Sequence, residues 1–510
     1  MKNVYILSIL VLLILGVNSE NSSHDYSSYS AVSTNTDLSG ANLSSSTSDQ
    51  SVVYITQTGK TISSSTLAKT SGDSSNTENS EFYGVNAAVL VQGGGVTITD
   101  GTIITAAKGA NAVCATNGGT VTITGTTITS TASGSARGLH ATYGGSITGN
   151  KVTISSTGGS CANLATDRGE GTVTCTECTL STEGAGSPLI YSTGTITANS
   201  CTGTASGAQM VVVEGKNTAT VEGSTFKCTG VGNRNDVDKC GIMLYQSMSG
   251  DADTGTSTFN CKSSSMEILS TSSVYSSAPM FFITNTDAVI KLEDCTFTYG
   301  SGTFLDAEGT SEWGTSGSNG GAVTMTLTNQ NIEGDFVVDS SSSLSITMVN
   351  SSIKGKINNS KVSSTISITL DANSAITLTG DSYISSLTNA DTTGANINKG
   401  SYTFADYNGN EYTGSTSSGS TSSGTTSSDT TSSGTTSSDT TSSGTTSSDT
   451  TSSGTTSSDT TSSGTTSNNT TSNNTTSNDT TDNDNDFIRV NKSNFFSVSF
   501  YLLLMFILIL

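Results

Sequence analysis

The stretch Val96-Thr97-Ile98-Thr99, followed by Ile103, returns 25 residues later as Val121-Thr122-Ile123-Thr124, followed by Ile128. Degenerate copies follow at steps of 26, 26, 23 and 25 residues and begin at Ile147, Val173, Ile196 and Val221. Apolar and polar residues alternate within each copy, which places Val and Ile on the inner face of a strand and Thr on the outer face. A strand motif that returns at this interval predicts that each repeat is one rung of a solenoid.

A rung of this length accommodates about three short strands and their glycine turns, and stacking pairs each backbone N–H with the neighbouring rung. Small residues closed by glycine precede the motif, as in residues 112–119 and 138–145. We therefore predict an all-β parallel β-helix of about 13 rungs at residues 82–412, without α-helices. An array of β-sandwiches would instead show hairpin turns every 8–12 residues or so.

The Gly-Gly-x-Val-Thr-Ile-Thr-x-x-x-Ile rungs resemble right-handed parallel β-helix proteins of the pectin-lyase-like kind. The segment Leu378-Thr379-Gly380-Asp381-Ser382-Tyr383-Ile384 resembles the closing segment of adhesin-like β-helix domains in bacterial surface proteins. The resemblance implies a right-handed parallel β-helix. It implies no single activity, because this fold carries lyases, hydrolases, adhesins and ice binders.

The two ends of the chain predict export and anchoring. Lys2, the apolar residues 4–15 and Val17-Asn18-Ser19 predict a signal peptide at residues 1–19. Small residues at 483–485, a polar spacer and the apolar residues 495–510 are typical of a glycosylphosphatidylinositol (GPI) attachment signal, with attachment at Asn483 and removal of residues 484–510. A short transmembrane anchor is the alternative. Either way, we expect the protein at the extracellular face of the plasma membrane.

Two polar segments flank the predicted β-helix. Residues 20–81 are rich in Ser and Thr and are predicted to form an N-terminal segment that caps the solenoid. Residues 413–483 repeat the unit TSSGTTSSDT, which cannot bury a core and predicts a disordered, glycosylated stalk. The predicted N-glycosylation sites are Asn42, Asn350, Asn358, Asn468, Asn469, Asn473, Asn474 and Asn478.

Composition narrows the classes of partner. The net charge of −22 argues against nucleic acid, which requires clustered Lys and Arg.

Nine cysteines lie between Cys114 and Cys295, and in a secreted chain they permit disulfides with one thiol left over. Cys178 and Cys201 occupy equivalent inward positions one rung apart, so they could form stacked thiols or a disulfide.

No catalytic apparatus is visible, and we predict a protein that is not an enzyme and uses no cofactor. Asn285-Thr286-Asp287 matches one element of β-helix pectinases, but their Asp-Asp, Gly-His-Gly and Arg-x-Lys elements do not follow it. Arg137, Arg168 and Arg234 have no aspartate cluster at rung spacing beside them. His140, equivalent to Cys114 of the preceding rung, is expected to be a surface or satisfied polar residue.

Two insertions interrupt the rungs. Residues 229–255 carry Asp236, Asp238, Asp251 and Asp253, which we interpret as a solvated acidic loop; these are the candidates for a metal site, although the EF-hand pattern is absent. Residues 309–321 present Glu312 and Trp313, the candidate ligand contacts. Trp313 would either contact a sugar or partner, or pack over the side of the solenoid.

These features favour an adhesin-like or structural surface protein that contacts glycans or surface proteins of host or neighbouring cells. The alternative is a carbohydrate-binding or carbohydrate-active β-helix module, which requires acidic and aromatic side chains together around Trp313 or Asp287. A third alternative is ice binding by the outward threonines, which are also ordinary residues of an exposed strand.

The predicted lipid anchor can be tested on intact cells. We expect phosphatidylinositol-specific phospholipase C to release the chain into the medium, because a GPI anchor joins protein to membrane only through the lipid that this enzyme cleaves. Immunoblotting of an epitope placed after residue 19 would measure the release. Replacement of residues 484–510 by a transmembrane helix is the control and should abolish it; retention of the unaltered chain would contradict the anchor.

Overall fold

Parallel strands stacked in columns make up the body of the protein. The computed structural model describes residues 29–234, 237–362 and 365–414. Successive strands pass to different sheets, and within the three largest sheets neighbours along most of the stack are three strands apart in the chain. Neighbouring strands pair in parallel, as in β8 (Gly95–Thr99) with β11 (Thr120–Thr124). The predicted all-β parallel β-helix is therefore confirmed.

Sheet 1 has twelve strands. They are β1 (Ser30–Thr34), β4 (Gln50–Ile55), β7 (Val89–Gln92), β10 (Val113–Thr116), β13 (Leu139–Ala141), β16 (Leu164–Thr166), β19 (Ile190–Ser192), β22 (Val211–Glu214), β25 (Ile242–Tyr245), β28 (Phe281–Thr284), β31 (Thr303–Ala307) and β34 (Asp335–Val338).

Sheet 2 has fourteen strands. They are β2 (Leu38–Ser39), β5 (Lys60–Ser63), β8, β11, β14 (Ser146–Asn150), β17 (Thr172–Thr176), β20 (Thr195–Asn199), β23 (Thr218–Glu222), β26 (Thr256–Lys262), β29 (Thr286–Glu293), β32 (Gly321–Thr328), β35 (Ser343–Val349), β37 (Ile366–Leu370) and β40 (Ser386–Asn389).

Sheet 3 has ten strands, and two small sheets follow it. Sheet 3 holds β3 (Asn42–Ser45), β6 (Thr66–Lys69), β9 (Thr102–Thr105), β12 (Thr127–Ser130), β15 (Thr153–Ser156), β18 (Thr179–Thr182), β21 (Thr202–Ala205), β24 (Thr225–Cys228), β27 (Ser265–Ile268) and β30 (Thr296–Thr298). Sheet 4 holds β33 (Asn331–Glu333), β36 (Ser352–Gly355), β38 (Ala375–Leu378) and β41 (Ile397–Asn398), and sheet 5 holds β39 (Ser382–Tyr383) and β42 (Phe404–Ala405).

The stack begins earlier than the sequence predicted. The first strand starts at Ser30, and β4 pairs with β7 through Val53 and Val89. Residues 30–69 therefore contribute six strands to the same three sheets and are not only a polar segment before residue 82. These first strands are short and Ser-rich, so their alternation is weak. The predicted signal peptide, the GPI signal and the stalk beyond residue 414 lie outside the described residues.

The register confirms most of the predicted repeat. Val121, Ile147, Val173 and Ile196 lie in one column of sheet 2, and Cys114 lies beside His140 in sheet 1. The next member of the sheet 2 column is Ala219; Val221 pairs with Ala198 instead. The prediction for Val221 was therefore wrong by two positions. Both inward positions of a strand accept apolar residues, so a shift of two leaves the pattern unchanged.

A single left-handed residue makes the corner between sheets 2 and 3. It has positive φ at Asp100, Gly125, Lys151 and Glu177 alike. For residues other than glycine, the left-handed conformation costs about 1–2 kcal/mol. Each corner N–H nevertheless bonds to the adjacent rung, as Asp100 N does to Thr124 O at 3.0 Å and Lys151 N to Thr176 O at 2.9 Å. Stacking thus holds the corner even where no glycine stands.

Sheet 1 is buried on both faces over most of its length. Every residue of β10, β22, β25 and β28 is buried. Its outer face is covered in part by helix α1 (Thr77–Tyr83), which is capped by the Asn76 side chain and ended by Gly84 in the left-handed conformation. No helix in the described ranges is long and apolar enough to cross a membrane. The helix was not predicted, and its last two residues fall inside the range expected to lack one.

Phenylalanines fill the interior in the second half of the stack. The ring centroid of Phe304 lies 5.3 Å from that of Phe281, 5.4 Å from Phe297 and 5.6 Å from Phe336. Phe304 itself is fully buried. These rings join successive rungs across several strands, so their packing stabilises the stack as well as each rung.

Phe304→Ala should therefore lower the free energy of unfolding by about 3–5 kcal/mol, because it opens a large cavity in the core. Denaturant titration of the purified protein would measure the change. Val337→Ala is the matched control, since Val337 is an outward residue of the same sheet with 38% exposure and should cost under about 0.5 kcal/mol. Equal losses in the two variants would contradict this packing.

Candidate binding site on the outer face of sheet 1

The candidate site lies on the outer face of sheet 1, where β19, β22 and β25 are adjacent. Tyr191, Val212 and Met243 form one outward column, and Glu214 pairs with Tyr245 in the next. The sequence places these residues by strand alternation: each follows or precedes a residue that points into the core. Three consecutive rungs thus bring together two tyrosines, a carboxyl group and an apolar floor.

A cavity of about 80 Å³ opens above these residues. Trp313 from the second insertion lines it, as do Asp238 and Asp251 from the first insertion. A water molecule requires roughly 10–15 Å³ of such space, so the cavity can hold several waters or one edge of a sugar ring. Aromatic and carboxyl groups therefore converge on one concave site.

Glu214 is the buried polar centre of this site. Its Oε2 accepts hydrogen bonds from Tyr191 Oη at 2.5 Å and from Tyr245 Oη at 2.8 Å. Its Oε1 is fully buried and has no well-oriented donor among the described residues. The Ser247 hydroxyl, which lies 2.7 Å from that of Ser249, also acts on the carboxyl group and lowers its pKa. Glu214 thus holds two aromatic walls of the cavity, Tyr191 and Tyr245, in place.

Burial raises the pKa of Glu214 above its ordinary value, against the lowering effect of the hydroxyls of Ser247, Tyr191 and Tyr245. Both tyrosine bonds go to Oε2, so a proton retained by the group lies on Oε1. In that state Glu214 donates a hydrogen bond, and when ionised it accepts one. Either state suits a hydroxyl group, which can both donate and accept.

Trp313 packs over the solenoid and also lines the cavity. The two predicted roles, packing and ligand contact, are therefore compatible. It is 5% exposed, and its ring lies 5.3 Å from that of Tyr245 at 67°. Asn319 holds the loop by donating to Thr310 O at 2.6 Å and to Trp313 O at 2.5 Å. Glu312 is partly exposed beside it and does not line the cavity.

The acidic residues of the first insertion have protein partners. Asp238 accepts bonds from the backbone N–H groups of Asn233 and Arg234 at 3.1 and 2.8 Å. Asp251 pairs with Arg168, and Asp253 with Lys216 at 2.9 Å. Asp236 lies outside the described residues. Within those ranges no group of three or more His, Cys, Asp or Glu is arranged to hold a metal ion.

The arginines have acidic partners that the sequence did not indicate. Arg137 pairs with Asp167 at 2.9 Å, and their side chains are only 4% and 5% exposed. The guanidinium carbon of Arg137 also lies 5.9 Å from the centre of the Tyr191 ring. Arg168, which pairs with Asp251, covers the Phe82 ring at 3.9 Å. One buried ion pair and one partly exposed ion pair therefore lie between helix α1 and the cavity.

His140 anchors helix α1 and does not line the cavity. It is fully buried, with Nε2 2.6 Å from Glu81 O, while Thr142 donates to Phe82 O at 2.8 Å. Burial, helped by nearby Arg137, lowers the pKa of His140 to about 3, so the ring is neutral. We expected His140 to be a surface residue or a polar residue with its hydrogen bonds satisfied. Its Nε2 has a hydrogen-bond partner, whereas its Nδ1 has none among the described residues. Side chains of sheet 1 thus satisfy carbonyls that the last helical turn leaves free.

The predicted glycosylation sites differ in access. Asn42 and Asn350 are exposed. Asn358 is 1% exposed, and its amide nitrogen donates to Tyr383 O and Tyr407 Oη, so the folded structure leaves no room for a glycan there. The stalk sequons and Asn483 lie outside the described residues.

The nine cysteines are buried thiols. Cys178 and Cys201 do lie in contact, since the Cys178 N–H points to Cys201 Sγ at 3.4 Å. Cys175 joins them, because Cys201 Sγ lies 3.6 Å from Cys175 O. A bridge between Cys178 and Cys201 stays a prediction.

The site combines a covered face, a small cavity, aromatic walls and a buried carboxyl group. Comparisons with protein families, with curated proteins and with solved structures found no match to this chain.

Glu214→Ala should lower the free energy of unfolding by about 2–4 kcal/mol, because two buried tyrosine hydroxyls lose their acceptor. Glu214→Gln keeps an acceptor for both hydroxyls and should cost less than about 1 kcal/mol. Denaturant titrations of both variants would measure the difference. Equal losses would contradict the geometry described for Tyr191 and Tyr245.

A comparison of the unaltered protein with Glu214→Gln also tests the raised pKa of Glu214. Because the pKa of Glu214 is raised in the folded state, that state binds more protons than the unfolded state once the pH passes the ordinary value of 4.5. The contribution of Glu214 to stability therefore falls as the pH rises from that value through the folded pKa. Glu214→Gln should lack this part of the pH dependence. Denaturant titrations at several pH values would measure it, and identical slopes of the free energy of unfolding against pH in the two proteins would contradict the raised pKa.

Proposed function

We propose that this protein is a GPI-anchored, adhesin-like surface protein that binds saccharides in the cavity formed by Tyr191, Glu214, Tyr245 and Trp313. The observation that carries the proposal is the convergence of three aromatic side chains with carboxyl and hydroxyl groups around one concave cavity. The ligands in this proposal are glycans of host or neighbouring cells.

The chemistry of the cavity favours a sugar over other small ligands. A pyranose presents hydroxyl groups at its edge and C–H groups on its faces, which match a carboxyl oxygen and aromatic walls respectively. Asp238 and Asp251 also line the cavity, and their carboxylates disfavour anions. Arg137 and Arg168 are paired with Asp167 and Asp251. Arg234 is the arginine that lines the cavity together with the carboxylates of Asp238 and Asp251.

The walls of the cavity are held in place by the protein's own contacts. These walls come from three neighbouring strands of one sheet, and Asn319 fixes the loop that carries Trp313. A rigid site loses little side-chain entropy on binding, which supports useful affinity from a small contact area. Adhesins gain further strength by presenting many copies on one surface.

Surface display is supported by the sequence alone. The signal peptide would direct export, the C-terminal signal would be exchanged for the lipid anchor, and the Ser/Thr-rich stalk would hold the β-helix away from the membrane. The net charge of −22 would keep a dense surface layer soluble and would oppose binding to anionic lipid.

Glycan-array binding of the protein released from cells tests the proposal. Ser249→Phe should reduce binding of any captured glycan at least tenfold, because Ser249 lines the cavity and a ring there fills it. Met248→Phe is the matched control: Met248 is the neighbouring residue, is 58% exposed and does not line the cavity. This pair avoids variants that remove a buried group.

Binding that survives Ser249→Phe, or the absence of any glycan ligand, would contradict the proposed site. Mass spectrometry of the bound glycan separates the carbohydrate-active alternative: shortened products would make the protein an enzyme. An intact glycan agrees with a binding role.

A further inference from the structure

A column of side chains follows the left-handed corner between sheets 2 and 3. In several rungs the N–H of the residue after the corner donates to the side chain at the same position in the next rung. Cys201 N bonds to Ser224 Oγ at 2.9 Å, Ser224 N to Ser264 Oγ at 3.0 Å, and Cys295 N to Gln330 Oε1 at 3.0 Å. This corner column is an interior polar ladder that contains Cys178, Cys201 and Cys295.

At Cys295 the ladder meets a second thiol. Cys261 lies on β26 at an inward position that pairs with Leu292, three residues before Cys295. The two Sγ atoms are 2.7 Å apart, and both residues are buried. The two side chains therefore meet across neighbouring rungs, which is the requirement for a bridge between them.

We propose that Cys261 and Cys295 form a disulfide that joins two successive rungs of the mature protein. The inference rests on the proposed export of the chain, because disulfides persist in oxidising compartments. It is separate from the bridge predicted between Cys178 and Cys201, whose thiols form a cluster of three with that of Cys175 and also contact backbone carbonyls.

The reaction is a two-step thiol–disulfide exchange with a disulfide of the secretory compartment, either a small molecule or a thiol oxidoreductase. The first nucleophile is the thiolate of one of the two cysteines, because the thiolate is the reactive form. It attacks one sulfur of the oxidant and releases a thiol. The other cysteine then loses its proton and displaces the second thiol. Two cysteine thiols are oxidised, and one exogenous disulfide is reduced to two thiols.

Both sulfurs are buried in the folded protein, so the exchange must precede completion of the stack. The bridge would connect the rung of β25 to β27 with the rung of β28 to β30. Tyr245 and the first insertion belong to the first of these rungs, and the Trp313 loop follows the second. The cross-link therefore ties together the part of the stack that carries the cavity.

Peptide mapping of the full chain, solubilised in detergent from eukaryotic cells, tests the proposal. Thiols are blocked with N-ethylmaleimide during denaturation, and the protein is digested with trypsin and a Glu-specific protease without reduction. Cleavage after Lys239 and Lys262 gives peptide 240–262, and cleavage after Glu293 and Glu308 gives peptide 294–308. We expect these two peptides to be joined, and reduction to separate them.

Peptide 240–262 also contains Cys240, so two variants assign the bond. Cys240→Ser should keep the joined species, whereas Cys261→Ser should abolish it and leave Cys295 labelled by the maleimide. If the chain is on the cell surface and both cysteines are labelled, the bridge is refuted while the proposed function stands.

If the chain is not exported, the purified full chain is refolded with oxidised glutathione. Formation of the joined species would then support the Cys261–Cys295 pair even though the proposed location fails. Labelling of both thiols after this treatment would overturn the pair itself.

Discussion

The hydrogen bond between equivalent backbone groups of successive rungs is the interaction on which the rest of this structure depends. A buried N–H or C=O without a partner is costly, so each strand and corner must stay in register with the next. Register then forces side chains into columns: apolar inside, threonine outside sheet 2, and in several rungs a polar or sulfur side chain directly after the left-handed corner residue. Extra residues are accepted only between strands, as in the insertions near Asp238 and Trp313.

These columns explain how much of the fold could be predicted. The fold class and most of the register follow from the spacing of VTIT-like strands. The start of the stack at Ser30 did not follow, because short Ser-rich strands there carry little alternation. The column of Val221 was misplaced because two inward positions of one strand accept the same residues. The corner positions could not be predicted from the sequence, because Gly125, Lys151 and Glu177 share the left-handed conformation but have unrelated side chains.

The candidate site was harder to predict because its members come from different rungs and insertions. Trp313 was singled out, whereas Glu214 was not, since a lone glutamate after three valines resembles the end of a strand. One signal was present in the sequence. The runs Val211–Glu214, Ile242–Tyr245 and Phe281–Thr284 lack alternation, which is typical of strands buried on both faces. Such strands imply a cover over sheet 1, and a covered face is where a cavity can form.

The ion pair of Arg137 and Asp167 lies buried on the outer face of sheet 1, and folding stability alone does not account for it. Removing an ion pair such as Arg137–Asp167 from water costs several kcal/mol per ion, and an apolar pair of similar volume is often as stable or more so. Burial indeed raises the pKa of Asp167 to about 7 despite Arg137. Stability alone would therefore favour apolar residues on this face, as at Leu90 earlier in sheet 1. The polar network occurs instead beside the rungs that carry Tyr191 and Glu214, where it orients the walls of a cavity that a polar ligand can use.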